Sequence, residues 1–199
     1  MGEVEDFVAR VRSALTENKP FRFFELVAEN EKVCEAIEDA RKGEIEPNVT
    51  AKGKLFLAEG SRILSGTYIE GNAYIGPNCT VGPNAYLRAG VILEGDNHVA
   101  NSEIKNSVIL RGSNVPHFSY VGDSILGENC NLGAGTKVAN LRFDDAPVET
   151  VVGGKKVNSG RRKLGACLGH NVKTGINSSI NCGAQVKNGT KVLPGAVHK

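Results

Sequence analysis

The chain has 199 residues, a length that fits one domain with a short appendage. Hydrophobic residues make up 40% and charged residues 23%, which excludes a largely disordered chain, and no apolar run reaches the ~18 residues that a membrane span needs. The net charge is +2, and the chain opens with Glu3, Glu5 and Asp6 rather than with the segments of a signal peptide, so we expect a cytoplasmic protein that does not contact membranes.

Residues 1–46 are predicted to form a helical segment. Two groups of apolar residues follow three- and four-residue spacing, separated by a break at 18–20, and a stop is expected near Gly43. The groups are Val4, Phe7, Val8, Val11 and Leu15, and Phe23, Phe24, Val27, Val33 and Ile37. The segment holds 12 acidic and 7 basic side chains, and nothing in it suggests catalysis. We expect it to cap the open N-terminal end of the following domain or to serve as an oligomerisation arm.

Residues 47–199 are predicted to form an all-β domain, because a six-residue period begins after residue 55. The aliphatic positions, with one threonine, are Ile63, Ile69, Ile75, Val81, Leu87, Leu93 and Val99, then Val121, Leu126, Leu132 and Val138, then Leu168, Thr174, Ile180, Val186 and Val192. A period of six fits three short strands per coil of a hexapeptide parallel β-helix. Residues 18 apart, such as Ile63 and Val81, should then stack, and Asn72, Asn78 and Asn84 should occupy turns that tolerate positive φ.

Residues 139–163 interrupt this period and are predicted to form an inserted loop built as a hairpin. Segments 148–152 and 155–157 have the composition of two strands, and Gly153-Gly154 between them fits a two-residue turn. Because an insertion from a solenoid often carries function, the loop is a candidate for ligand contact.

The strongest group of chemically capable residues lies at 116–140. His117 is suited to accept a proton near neutral pH, and the backbone N–H groups at 133–135 are candidates for holding an oxyanion. Because His117 and Gly135 are 18 residues apart, they should lie side by side in adjacent coils. A structural histidine in a turn is the alternative.

Neither a metal site nor a disulfide is predicted. The cysteines are widely spaced, include no C-x-x-C pair and are expected to be reduced, packed thiols. They are Cys34, Cys79, Cys130, Cys167 and Cys182. The four histidines include no closely spaced pair, which disfavours a β-helical carbonic anhydrase with three histidines on zinc.

Five segments carry a resemblance to a known family: LRAG at 87–90, EIKNS at 103–107, HFSYVGDS at 117–124, GENCNLGAGTKVANLR at 127–142 and SGRRKLGACLGHNVKTGIN at 159–177. Across residues 60–198 the chain resembles the C-terminal acetyltransferase half of bifunctional N-acetylglucosamine-1-phosphate uridylyltransferases, most closely the archaeal sugar-1-phosphate nucleotidylyltransferase/acetyltransferase type. The resemblance implies a left-handed β-helix, a homotrimer, and acetyl transfer from acetyl-CoA to the amine of glucosamine-1-phosphate. No nucleotidyltransferase domain is expected, because the first 50 residues contain no glycine-rich nucleotide loop.

The resemblance also implies roles for single residues. His117 corresponds to the catalytic base, Ala134 to the residue whose N–H faces the thioester carbonyl, and Asn140 to the asparagine that positions the acetyl group. The residues that correspond to contacts with the sugar phosphate are Arg88, Lys105, Tyr120 and Asn131. Each has a structural alternative: exposed coil surface for the cations, packing for the tyrosine and turn formation for the asparagines.

A basic stretch within and after the hairpin is a candidate for the cofactor. Arg161, Arg162 and Lys163 are predicted to bind the phosphates of CoA, and a solvated hairpin is the alternative. No aromatic residues interleave with these charges, so nucleic-acid binding is not expected. The alternative function is a non-catalytic trimeric scaffold or regulatory partner of a separate nucleotidyltransferase, docked through the acidic helical segment.

Overall fold

The computed structural model describes residues 2–17 and 19–199, so Asn18, in the predicted break between the helices, lies outside the described residues. Two helices, α1 (Glu3–Thr16) and α2 (Phe23–Ala36), precede a series of short strands. The strands are β1 (Ala40–Arg41), β2 (Glu44–Ile45), β3 (Thr50–Ala51), β4 (Leu55–Leu57), β5 (Arg62–Ile63), β6 (Tyr68–Ile69), β7 (Ala73–Ile75), β8 (Thr80–Val81), β9 (Tyr86–Leu87), β10 (Val91–Leu93), β11 (His98–Val99), β12 (Glu103–Lys105), β13 (Ser107–Ile109), β14 (Asn114–Val115), β15 (Tyr120–Gly122), β16 (Ile125–Leu126), β17 (Lys137–Val138), β18 (Glu149–Val152), β19 (Lys155–Asn158), β20 (Cys167–Leu168), β21 (Lys173–Thr174), β22 (Ser179–Ile180), β23 (Gln185–Val186), β24 (Lys191–Val192) and β25 (Val197–His198).

These strands form a left-handed parallel β-helix of about nine turns, as predicted. The first face has the order β1-β4-β7-β10-β13-β16-β20-β23, and the third face has the order β3-β6-β9-β12-β15-β17-β22-β25. The second face contains β2-β5-β8-β11-β14 and, further along, β21-β24, joined through bridges at Asn131. Each coil therefore contributes one short strand to each of three flat faces, which gives the prism that the six-residue period predicts.

The core of the prism consists of the aliphatic side chains at six-residue spacing, all of them buried. Ile63 pairs with Val81, and Val81 pairs with Val99, so the expected 18-residue stacking is confirmed there. Near residue 104 the coils are shorter, since Ile104 pairs with Leu87, 17 residues away. Each fully buried aliphatic side chain contributes roughly 1.5–3 kcal/mol by leaving water, which explains why the strands can be so short.

The predicted turn asparagines behave in two ways. Asn78 and Asn84 have φ of +58° and +53°, as expected. Asn72 lacks a positive φ, and its Oδ1 instead accepts a hydrogen bond of 3.0 Å from the backbone N–H of Lys54 in the preceding coil. The asparagine at this position therefore links two coils rather than relieving backbone strain.

The helical segment lies on the flank of the prism, and the expectation that it covers the N-terminal end is wrong. The predicted apolar faces of α1 and α2 are buried, and they pack on the outside of the first face against Tyr74, Ile92, Val108 and Ile125. The first face needs such a cover because its outward side chains are apolar in several successive strands. Neither helix in the described ranges is long and apolar enough to cross a membrane.

The boundary of the helical segment also differs from the expectation. Helix α2 ends at Ala36, before Gly43, and β1 and β2 already belong to the first coil although they lie within residues 1–46. Polar contacts then fix α1 on the solenoid, because the Arg12 guanidinium donates to the carboxylates of Glu94 and Glu128 in two different coils.

The insertion is a β-hairpin, as predicted. Strands β18 and β19 pair antiparallel, and Gly153 and Gly154 both adopt positive φ between them. The hairpin folds back onto the solenoid, since the Thr150 hydroxyl donates to the Gly183 carbonyl at 2.7 Å. With the connection between the helices and the last coils, it encloses a cleft of about 630 Å³.

Candidate active site

Most of the predicted site residues flank strand β15 on the third face. We call the two adjacent turns that lead from the second to the third face, residues 116–119 and 133–136, the His117 edge. We call the side chains of Lys105, Asn106, Tyr120, Asp123 and Asn140 the Asp123 cluster. Because β15 has three residues and a strand rises about 3.3 Å per residue, the edge and the cluster lie on the order of 10 Å apart.

The His117 edge presents groups without hydrogen-bond partners. The backbone N–H of Gly135 donates to the His117 carbonyl at 2.8 Å, so the two residues are neighbours in adjacent coils, as expected from their spacing. His117 is exposed at φ +59°, and its imidazole makes no hydrogen bond within residues 2–17 and 19–199. The chain therefore holds the backbone of His117 firmly while leaving the ring free for a ligand.

The N–H of Ala134 is also free on this edge. Its neighbours are engaged, because the Gly133 N–H donates to Thr174 and the Gly135 N–H donates to His117. Among the residues that the structure describes, nothing accepts a hydrogen bond from the Ala134 N–H, although its carbonyl accepts one from the Asn177 N–H at 2.8 Å. A free N–H on a partly exposed residue, one coil away from an exposed histidine, is an arrangement suited to holding a developing oxyanion.

Apolar side chains extend along the same edge into the following coils. Phe118 is 72% exposed, Ile176 58% and Leu193 72%. Phe118 lies in the coil before that of Ala134, and Ile176 and Leu193 lie in the two coils after it, since Gly135 N–H donates to the His117 carbonyl, Asn177 N–H to the Ala134 carbonyl and Gly195 N–H to the Ile176 carbonyl. The edge therefore combines a free imidazole with an apolar border.

At the other end of β15, the Asp123 cluster is built around a buried carboxylate. Asp123 accepts hydrogen bonds from Lys105 Nζ at 2.7 Å, from Asn106 Nδ2 at 3.0 Å and from Asn140 Nδ2 at 2.6 Å. The sequence motif HFSYVGDS contains Asp123, but an aspartate next to glycine resembles an ordinary turn residue, so sequence reasoning gave it no role. Its burial depends on three coils and was not visible in the local pattern.

Tyr120 joins this cluster through its hydroxyl. Asn140 Nδ2 donates to the Tyr120 oxygen at 2.9 Å, which leaves the phenolic proton free to bond a ligand. Burial, followed by the nearby carboxylates of Asp123 and Glu103, raises the pKa of Tyr120, so the phenol stays protonated at neutral pH. Gly122 gives the ring its space, because a Cβ there would lie 2.5 Å from the Tyr120 oxygen and 2.7 Å from Asn140 Nδ2.

Arg88 lies one coil before Lys105 and is held by two carboxylates. Its guanidinium donates to Glu103 at 3.3 Å and to Glu70 at 3.4 Å, and Glu70 also accepts a hydrogen bond from Tyr86 at 2.6 Å. The guanidinium is about one third exposed, so it remains accessible to an anion. The structure thus places both predicted phosphate-binding cations on the third face, near Tyr120.

Other predicted residues are not brought to these places within the chain. Asn131 lies on the second face, where it bridges Asn114 and Lys173, and not beside Tyr120. Asn140 lies in the Asp123 cluster, at the opposite end of β15 from Ala134. The two residues therefore do not face one acetyl group within a single copy.

The cations proposed for CoA are also engaged. Arg161 donates to Glu31 of α2, and Arg162 donates to Asp145 in the insertion at 2.6 Å. Lys163 is exposed and pairs with Leu141 through a backbone bridge. The carboxylate partners are distant in sequence, so the run of basic residues alone could not indicate them.

The cysteines do not contribute a nucleophile to the site. Burial raises the pKa of Cys34 to about 12 and that of Cys79 to about 11, and burial also raises the pKa of Cys130, Cys167 and Cys182. Thiols with raised pKa values stay protonated and unreactive at neutral pH. In the described part of the chain, no three His, Cys, Asp or Glu side chains are grouped closely enough to hold a metal ion.

The fold and the repeats define a class. Residues 57–95 match the family model described as "Bacterial transferase hexapeptide (six repeats)", so the chain is a hexapeptide-repeat protein with a left-handed β-helix. Over 156 residues, 78% of the chain, it is 53% identical to a bifunctional sugar-1-phosphate nucleotidylyltransferase/acetyltransferase of Sulfurisphaera tokodaii, of which the match covers 39%. The family resemblance inferred from the sequence motifs is therefore confirmed for the C-terminal part of such proteins.

Two further similarities were found. The bifunctional protein GlmU of Methanocaldococcus jannaschii is 46% identical over 166 residues, which cover 83% of this chain and 40% of that protein. The chain thus spans about two fifths of the length of these relatives. Among solved structures, the acetyltransferase domain of PglB from Neisseria gonorrhoeae aligns with a TM-score of 0.45 and 14% identity, covering 77% of this chain and 55% of that one.

Proposed function

We propose that this chain is an N-acetyltransferase that moves an acetyl group from acetyl-CoA to the amine of an amino-sugar 1-phosphate, with glucosamine-1-phosphate as the first candidate. The observation that carries the proposal is the pairing, in adjacent coils, of a free imidazole on His117 with a free backbone N–H on Ala134. The relatives whose names include acetyltransferase activity support the same reaction class.

The chemistry is a direct transfer. The amine nitrogen attacks the thioester carbon while His117 accepts a proton from the amine, and the Ala134 N–H donates to the oxygen that becomes negative. The C–S bond then breaks, and the imidazolium returns its proton to the departing thiolate of CoA. No acetylated enzyme is needed, which agrees with the buried, protonated state of the cysteines.

The sugar phosphate is proposed to lie along strand β15. Arg88 and Lys105 would bind the phosphate, and the free phenolic proton of Tyr120 would bond a sugar oxygen. In glucosamine-1-phosphate the amine and the phosphate are on adjacent carbons, so the long side chains of Arg88 and Lys105 would hold the phosphate toward the middle of the ~10 Å strand for the amine to reach His117. Asn140 would contact the sugar through Oδ1, the atom that its two donated hydrogen bonds leave free.

The acetyl-CoA end of the site is proposed to need other copies of the chain. The basic residues Arg161 and Arg162, predicted to bind CoA, are instead paired with Glu31 of α2 and Asp145 of the insertion within one copy. A homotrimer, the assembly that the sequence resemblance implies, would place another copy against the exposed border formed by Phe118, Ile176 and Leu193. The phosphate-binding role of the basic residues would require their present ion pairs to open.

The test is an acetylation assay with purified protein, acetyl-CoA and glucosamine-1-phosphate. We expect release of the CoA thiol together with an acetylated sugar phosphate identified by mass spectrometry. Glucose-1-phosphate, which lacks the amine, is the control acceptor and should give no release above the rate without acceptor. Galactosamine-1-phosphate tests how strictly the sugar is selected.

Two results would contradict the proposal. One is the absence of thiol release combined with no heat in a calorimetric titration with acetyl-CoA. The other is co-purification of a nucleotidyltransferase with a protein that binds no acetyl-CoA, which is the result that a scaffold would give. Sedimentation of the protein as a monomer would separately remove the trimer from the proposal.

A further inference from the structure

Asp123 is an unusually well-defined carboxylate. It is 1% exposed, its φ is +52°, and its two oxygens accept hydrogen bonds from Lys105, Asn106 and Asn140. A buried carboxylate is costly unless it is paired and hydrogen-bonded, and both conditions are met here. None of the roles assigned to the site so far uses this group directly.

The carboxylate determines how its neighbours point. Because an ionised carboxylate can only accept, Asn140 must turn its amide nitrogen toward Asp123, and the same nitrogen donates to the Tyr120 hydroxyl. The Asn140 Oδ1 atom therefore points away from Asp123 and has no hydrogen-bond partner among the described residues. The ammonium of Lys105 is likewise fixed, with its remaining protons available to an anion.

A second asparagine connects this carboxylate to the helical segment. Asn106 is buried and donates from Nδ2 to Asp123 at 3.0 Å and to Glu31 of α2 at 2.9 Å. Its Oδ1 accepts from Asn30 Nδ2, also on α2, at 2.9 Å. The amide of Asn106 has a single orientation, because its nitrogen faces two carboxylates and its oxygen faces an amide donor.

We propose that Asp123 is the positioning residue of the sugar-phosphate end of the site, and that α2 supports it through Asn106. The inference rests on the proposed function for the identity of the ligand, but the hydrogen bonds that define it do not. Asp123 fixes Lys105 for the phosphate and Asn140 for the sugar, and Asn30 and Glu31 hold the asparagine behind it. The helical segment is in this sense part of the site.

The chain offers a matched control. Asp96 also has φ +52° in a turn between coils, and it accepts a hydrogen bond of 3.0 Å from Asn78 and another from Arg111. It differs from Asp123 in being exposed and in lying at the turn between the first and second faces. Asp96→Asn therefore repeats the same change of charge and backbone setting away from the site.

The first experiment is the steady-state kinetics of Asp123→Asn. The new amide nitrogen opposes the donors of Lys105 and Asn140, so we expect the KM for glucosamine-1-phosphate to rise at least about tenfold. The KM for acetyl-CoA should stay within about twofold, because that ligand binds elsewhere, and Asp96→Asn should leave both constants within about twofold. An unchanged KM for the sugar phosphate in Asp123→Asn, or an equal rise in both KM values, would overturn the proposal.

A second readout does not depend on activity. Reductive methylation of lysines, followed by mass spectrometry, reports how freely each amine reacts. Lys105 should react at least about threefold faster in Asp123→Asn than in the wild type, relative to the exposed Lys32, because its charge partner has been removed. If the wild type does not acetylate the sugar phosphate, the proposed function fails, while an unchanged Lys105 rate would refute the positioning role on its own.

The link to α2 has its own pair of variants. Glu31→Ala removes one acceptor of Asn106 and also the ion-pair partner of Arg161, so the effect through Asn106 is read from the KM for the sugar phosphate, where we expect a rise of about two- to fivefold. Glu25→Ala, on the exposed side of the same helix, should have no effect, since its side chain pairs only with Arg22 within residues 2–17 and 19–199. Equal effects of the two variants would mean that α2 acts only through general stability.

Discussion

The two ends of strand β15 follow opposite rules. At the His117 edge, the imidazole of His117 and the N–H of Ala134 have no partners within the described chain. In the Asp123 cluster, Lys105, Asn106 and Asn140 all converge on one buried carboxylate. The first region leaves its reacting groups without protein partners, and the second satisfies its carboxylate while leaving Asn140 Oδ1 and the other protons of Lys105 for a ligand.

This difference separates reacting groups from positioning groups. The atom that exchanges a proton or meets a transient charge must have a free bonding position in the resting site, so that atom adds little to stability. A group that must hold a cation at a fixed point gains from a buried, fully satisfied network. Substitutions at the His117 edge should therefore change turnover while sparing the fold, and substitutions in the cluster should change sugar-phosphate binding.

The largest effect is expected from His117→Asn. Asparagine tolerates the φ of +59° at this position, so the turn is kept while the base is removed. Turnover should fall by about 10²–10⁴-fold, the range for loss of a general base, with an unchanged unfolding midpoint. His98→Asn, at an exposed histidine of the second face, is the control, and an unchanged turnover in His117→Asn would exclude His117 from the reaction.

Ala134→Pro tests the other free group at the same edge. Proline removes the N–H of residue 134, which bonds nothing in the described ranges, so no hydrogen bond of the fold is lost. We expect turnover to fall by about 10²–10³-fold, as for loss of one oxyanion donor, while the melting temperature changes little. Thiol release and thermal unfolding measured on the same preparation check both parts.

The solenoid itself supplies the control for this change. Residue 176 takes the corresponding place one coil later, and Pro194 takes it in the coil after that, as the matching backbone bonds of Asn177 and Gly195 show. The fold therefore accepts proline at this turn. Ala134→Gly keeps the N–H and should retain turnover within about fivefold. Equal losses in Ala134→Pro and Ala134→Gly would show that the N–H of residue 134 has no special role.

The difference between the His117 edge and the Asp123 cluster could be predicted only in part from the sequence. The six-residue period gave the prism because each interior position contacts only its equivalents in neighbouring coils, such as Ile63 and Val81. The place of His117 beside Gly135, in the next coil, followed from the same count. The role of Asp123 did not, because its partners lie on separate coils and its burial depends on all of them.

The position of the helices was missed for a different reason. The sequence predicted their apolar faces correctly but not the surface that they cover. A signal was present in the strands of the first face, where Tyr74 and Ile92 are apolar although they point outward beside the interior Ile75 and Leu93. A sheet face whose outward side chains are also apolar must be covered by another element. The first face therefore indicated the surface on which α1 and α2 pack.

Gly122→Ala should have an intermediate effect, confined to the cluster. The added Cβ would meet the Tyr120 oxygen at 2.5 Å and Asn140 Nδ2 at 2.7 Å, so both side chains must move. We expect about a tenfold rise in the KM for the sugar phosphate with a smaller change in turnover. Gly189→Ala is the control for general strain, because its φ is +72° and its Cβ would meet nothing within 4 Å. That variant should lose about 1–2 kcal/mol of stability and keep its KM.

The smallest effect is expected on the free energy of unfolding at high pH. It compares Tyr120, in the Asp123 cluster, with His117 at the other end of β15. Burial and the carboxylates of Asp123 and Glu103 raise the pKa of Tyr120 in the folded state above its ordinary value of 10.0. Above pH 10 the unfolded chain therefore loses this proton more readily than the folded chain does, and the contribution of Tyr120 to stability declines as the pH rises through the folded-state pKa.

Tyr120→Phe removes the phenol and its pH-dependent contribution. The difference in unfolding free energy between the wild type and this variant should be constant up to about pH 9 and should shrink above pH 10. Urea unfolding between pH 8 and about pH 11 measures the difference. His117→Asn should run parallel to the wild type over the same range, because this change leaves Tyr120 and the carboxylates around it in place. Parallel curves for Tyr120→Phe as well would mean that Tyr120 is no more tied to its surroundings than His117, and the distinction between the free edge and the Asp123 cluster would fail at Tyr120.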